Sequence, residues 1–114
     1  MSGQPASYRY SVPVVLHYLD RIEAILDKVE ASGRAEELLA ASLAPDMFSA
    51  GVQFRVAMGF CLRVCLPLAG QEVPNVPAGT TLEGLRDFAR DVRERLESLD
   101  PKDFSSSRRL RHRA

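Results

Sequence analysis

Cys61 and Cys65 stand four residues apart, a spacing that puts both thiols on one face of a helix, as two ligands of a soft metal would need. Tetrahedral zinc takes four protein ligands, or three and a water, and no second Cys or His pair completes a set. Both cysteines also fall on a wholly apolar arc, where free Cys acts as a small hydrophobe. They are assigned to the core, and no metal or other cofactor is expected. A disulfide between them does not suit the interior of a regular helix. With no staple framework, the chain reads as reduced and cytoplasmic.

His17 has Asp20 and Arg21 one helical turn away, so it could be a general base oriented by Asp20. No Ser or Cys nucleophile lies at a matching spacing. His17 is read as a surface residue, and no catalytic residue is assigned. Gln53, Arg55 and Arg63 interrupt an otherwise apolar helix face. Polar groups among apolar neighbours need partners or a wet cavity. One reading is a pocket for an acidic or polar ligand. The favoured one is a protein–protein contact, with Arg stems covering apolar surface and their heads in water.

Arg108, Arg109, Arg111, His112 and Arg113 form a basic end that could meet phosphates. It has no interleaved aromatics for base stacking and no basic helix face behind it. It is read as a disordered tail over 105–114, with no nucleic-acid partner.

The elements that position these residues follow from periodicity. The chain has 114 residues, 46% hydrophobic and 26% charged, enough for one soluble domain with one core. Its 15 basic and 15 acidic residues cancel, so no global field draws it to nucleic acid or an anionic membrane. The start carries no charged region followed by an apolar run, so no secretory signal is read. After a lead-in over 1–10, the domain is placed at 11–104. Ser11 is the expected N-cap and Pro13 lies in the first turn. Val15, Leu19, Ile22, Leu26 and Val29 then make one apolar stripe of a helix ending near Gly33. A short amphipathic helix is expected from Ala35 to Leu43, with Leu38, Leu39 and Leu43 turned inward.

Ala44-Pro45 reads as an extended joint, with Pro45 opening the next helix and Asp46 in its first turn. That helix is expected to run to about Leu68. One arc of it holds Met47, Ala50, Gly51, Phe54, Ala57, Met58, Cys61, Val64, Cys65 and Leu68, and is the expected core seam. The opposite arc holds Phe48, Val52, Val56, Phe60 and Leu66 beside Ser49, Gln53, Arg55 and Arg63. A helix apolar nearly all round must be covered on both sides. A membrane span is the poorer explanation, because a central Arg costs about 2.5–3.5 kcal/mol there.

A Pro- and Gly-rich connection over 69–80 can reach about 40 Å, longer than the roughly 30 Å of a twenty-residue helix. The last helix can therefore run parallel to the one before it. Thr80 and Glu83 read as its capping box. Leu82, Leu85, Phe88, Ala89, Val92, Leu96 and Leu99 form its apolar stripe, and Asp100-Pro101 stops it. Arg93 and Glu97 are placed on its outer face, indifferent to substitution.

Tyr10-Ser11-Val12-Pro13, Ile25-Leu26-Asp27-Lys28, Leu43-Ala44-Pro45-Asp46-Met47-Phe48, Gln53, Pro67-Leu68-Ala69-Gly70 and Thr80-Thr81 occur in that order. In order and spacing the chain resembles the domain-of-unknown-function family numbered nineteen ninety-three. The periodicity gives an up-down bundle of three long helices plus one short helix, and the resemblance implies that it is DinB-like, with a long crossing connection at 69–80. It also implies that members continue past a position like Arg113-Ala114 into a hairpin and a fourth long helix. The basic tail would then begin that piece. DinB-like relatives often hold a metal on three histidines, a triad that His17 and His112 do not reproduce.

The expected product is an all-α, catalytically silent homodimer, docked through the ridge Phe48, Val52, Val56 and Phe60. The alternative is a DinB-like small-molecule-binding or metal-dependent enzyme with its pocket near Gln53, Arg55 and Arg63.

Overall fold

Val12, Val15, Leu19, Ile22 and Leu26 are all buried on one side of the first long helix, as their three- and four-residue spacing requires. The computed structural model describes residues 6–42 and 47–106. Among these, α1 spans Ala6–Arg9, α2 Val12–Ala31, α3 Ala35–Ala40, α4 Ala50–Leu68 and α5 Leu82–Glu97, followed by a 3₁₀ turn at Pro101–Ser106. The fold is an all-α helical bundle.

Ser11 precedes α2 as expected, but its hydroxyl does not cap it. The Oγ donates instead to the carbonyls of Ser7 and Tyr8, tying α1 to the start of α2. Gly33 ends the segment at φ +73°, in the left-handed region that glycine enters without strain. In α3, Leu39 is buried and Leu38 half-buried, while Leu43 lies outside the described residues.

The third long helix begins later than its sequence suggests. Met47, Phe48 and Ser49 are not helical, and Ser49 is the N-cap, its hydroxyl accepting from the Val52 amide at 3.3 Å. Pro45 and Asp46 lie outside the described residues. Met47 is exposed and leaves the core seam. Leu66, expected on the outer arc, is buried together with Leu62 and Gly59. The buried side of α4 is centred on Met58, Leu62 and Cys65, and Phe54, Ala57, Val64 and Leu68 flank it half-buried.

The connection after α4 folds back along it. Gly70 turns the chain at φ +78°. Val76 then crosses Gly59, and Thr80 reaches Gly51 at the start of the helix; a Cβ on either glycine would meet its neighbour at 3.0 Å. Eight helical residues rise about 12 Å and four extended residues span about 13 Å, so the strand-like segment matches α4 in length. Arg55 fastens it by donating to the Ala78 carbonyl at 2.7 Å. The α5 helix starts beside the start of α4 and runs parallel to it. Its N-cap is Thr81, one residue after the expected Thr80, accepting from the Gly84 amide at 3.0 Å.

The α5 stripe buries Leu85, Phe88, Ala89, Val92 and Leu96 against α2 and α4. Arg86 bridges Asp27 and Glu30 of α2, and Arg93 bridges Asp20 and Glu23. Arg93 therefore spans two helices and is not the indifferent outer residue its sequence position suggests. Beyond α5, Phe104 is fully buried, with Tyr8 of α1 edge-on at 5.1 Å and Ser7 donating to its carbonyl at 3.2 Å. The tail arginines and His112 lie outside the described residues.

Met58→Ala or Phe104→Ala should lower stability by about 2–5 kcal/mol, the range for emptying a packed site. Glu94→Ala, on an exposed position, should stay within about 0.5 kcal/mol of the parent. Equal shifts of the urea midpoint in both sets would contradict this core. Arg93→Gln should cost about 1 kcal/mol at low ionic strength and less in molar salt, because the bridge is half-open to water. A loss independent of salt would mean that Arg93 acts through its packed stem.

Candidate functional site

Helix α2 carries three parallel stripes of different chemistry. At about 100° per residue, its core stripe lies between two flanks. One flank holds Asp20, Glu23, Asp27 and Glu30, and these are the carboxylates that meet α5. The other holds Val14, Tyr18, Arg21, Ile25 and Lys28. This second flank faces the side of α4 that neither α5 nor the crossing connection covers.

Between them the two helices leave an open groove. One part, a cavity of about 340 Å³, is lined by Tyr18, Arg21, Ile22, Ile25, Gln53 and Phe54, among others. A neighbouring part is bounded by Tyr18, Phe48, Val56, Phe60 and Arg63. Around it, Tyr18 is 46% exposed, Ile25 49%, Val56 51%, Phe60 52% and Phe48 72%. Apolar side chains of this size rarely gather in water on a monomer.

The structure sorts the expected site residues by face. Phe48, Val56 and Phe60 share the groove side, although Phe48 sits ahead of the helix and Val52 is half-buried. Gln53 lines the groove and its side-chain amide donates to the Phe48 carbonyl at 2.8 Å, holding the segment before α4. Arg55 points to the opposite side and clamps the connection through Ala78. Arg63 borders both the groove and a second hollow formed with Arg55, Gly59 and Val76. Gln53, Arg55 and Arg63 therefore do not form one pocket. Sequence reasoning missed Tyr18, Arg21 and Ile25, although their spacing with Val14 and Lys28 already marks a second stripe on α2.

His17 lies exposed on the outer side of α2, and its neighbour Asp20 is engaged with Arg93. Among the described residues, no three His, Cys, Asp or Glu side chains converge as a metal would require. Cys61 and Cys65 are fully buried, and burial pushes both thiols up from 9.0 to about 11. Such thiols are protonated at neutral pH and poor nucleophiles. Their chemistry is that of packing.

Because the folded thiols hold their protons above the pH at which unfolded thiols lose them, stability is fully present below pH 9 and falls between 9 and 11. The loss is on the order of 2 kcal/mol per thiol. Urea midpoints should drop over that window, and the Cys61→Ala, Cys65→Ala double variant should drop much less. An undiminished fall in the double variant would assign the effect to other groups.

No curated protein and no solved structure shows significant similarity to the chain. A family description does match, along nearly the whole length and across every element that forms the bundle. Residues 7–113 match the domain of unknown function DUF1993, and the chain belongs to that family.

Proposed function

We propose that the chain is a catalytically silent helical docking protein that works as a homodimer, with the α2–α4 groove as its interface. The observation that carries this reading is the exposed apolar face of Tyr18, Ile25, Phe48, Val56 and Phe60. Three sides of α4 have neighbours within the chain: α2, α5 and the crossing connection. Among the described residues, the fourth has none. A two-fold partner would bring the same face against itself, each copy supplying the cover that the other lacks.

Shape supports a helical partner. The groove runs along two antiparallel helices, the geometry into which a further helix packs ridge into groove. The α4 helix of one copy can lie along the groove of the other, with Phe60 and Val56 entering it. The aromatic side chains at this face would provide most of the buried area, as anchors do at interfaces generally.

Val56→Asp should drive the protein to monomer or aggregate, since it sets two like charges into an apolar contact. Glu94→Ala should leave association unchanged. Sedimentation of the parent chain at micromolar concentration in phosphate buffer is the direct measurement. A helical, well-folded monomer there, and with polyvalent anions added, would sink the homodimer reading.

A further inference from the structure

The groove is apolar in its floor and cationic in its rim. Arg21 and Arg63 border it, Lys28 lies beside Arg21 in an adjoining hollow on α2, and no carboxylate lines either among the described residues. The whole chain is neutral, with 15 basic and 15 acidic residues, so the absence of acids here reflects segregation. The acids of α2 that pair across helices, Asp20, Glu23, Asp27 and Glu30, lie on its other flank. Arg34, Arg86, Arg90, Arg93 and Arg95 each pair with a carboxylate. Arg21, Lys28 and Arg63 pair with none among the described residues.

A two-fold interface doubles whatever charge its patch carries. Two rim arginines from each copy make four cations at the contact, with Lys28 of each beside them and no acid among the described lining residues to answer them. Simple salt screens such charges over about 8–10 Å without removing them. An anion with several oxygens can take guanidinium groups in bidentate fashion and so neutralise cations of both copies at once.

Resting on the homodimer reading above, we infer that the α2–α4 face binds a multivalent oxyanion at its rim, between the two copies, and that self-association is coupled to its uptake. The shared chemistry is two or more anionic oxygen groups on one small molecule, whether phosphate or carboxylate. Arg21 and Arg63 are the principal ligands and Lys28 extends the site.

The test is sedimentation equilibrium of the full chain in sodium chloride alone, and with inorganic pyrophosphate or citrate at matched ionic strength. Dimer dissociation constants should tighten about tenfold once the anion reaches roughly ten times its own binding constant. A response to pyrophosphate alone, to citrate alone or to both supports the site and identifies the oxygen group it accepts. The Arg21→Gln, Arg63→Gln variant should dimerise at least as well as the parent in chloride and lose the response. Lys28→Gln, on an exposed position, should lose part of it. A parent dimer indifferent to both anions would overturn the anion site and leave the homodimer standing. So would an anion response that survives unchanged in the double variant. A monomer under every condition would overturn both.

Discussion

The passage of the crossing connection over Gly51 and Gly59 sets the direction of α5 and, with it, which side of the bundle is closed. Without side chains at these two positions, the extended segment lies directly on α4, where an added Cβ would meet Thr80 or Val76 at 3.0 Å. Arg55 then ties the segment down through Ala78. Because the connection returns to the start of α4, α5 must run parallel to α4 and antiparallel to α2. Only in that direction do Arg86 and Arg93 meet the carboxylates of α2 in order, Arg86 at Asp27 and Glu30 and Arg93 at Asp20 and Glu23.

These cross-helix bridges contribute modestly to stability, since each carboxylate remains partly hydrated. Their larger effect is on where charge is left over. By drawing the acids of α2 to one flank, the bundle separates an internally neutralised seam from a face whose cations have no partner among the described residues. The apolar surface of α4 adds the second component of that face. A protein neutral as a whole thus presents a face that is apolar in its floor and cationic at its rim, and it does so through helix phase.

Much of the fold is legible in the sequence because single stripes on amphipathic helices are unambiguous. The α2 and α5 stripes and the length of the crossing connection lead directly to the bundle. The start of α4 is harder, since Pro45 and Asp46 carry the residue types of a first turn while Ser49 carries those of a cap. The hydroxyl of Ser49 on the Val52 amide decides it, and Met47 and Phe48 stay outside the helix. The wheel misplaces Leu66 because α4 is apolar almost all round and so has no centre that periodicity can fix. The contacts of α5 and the connection fix it instead. The groove was half legible: its α4 side stands out, whereas its α2 side mixes Tyr18 and Ile25 with Arg21 and Lys28. Neither the contact nor the pocket read for Arg55 anticipates its partner, a backbone carbonyl 23 residues away, a distance along the chain that periodicity cannot see.

The three stripes of α2 have a consequence for how this protein can change. Each stripe repeats about every seven residues, so the helix works as a phased object in which position and role are locked together. Inserting or deleting one residue in its middle, near Ala24, would turn everything beyond it by about 100°. Ile22 and Leu19 would keep their places while Leu26 rotated onto a flank and a flank residue entered the core. Point substitutions can tune the acid flank, the core or the groove separately. Length changes cannot, because they exchange the three for one another, and only steps close to a full heptad preserve the assignment. The neighbours of this helix thus tolerate changes of side chain more readily than changes of residue count.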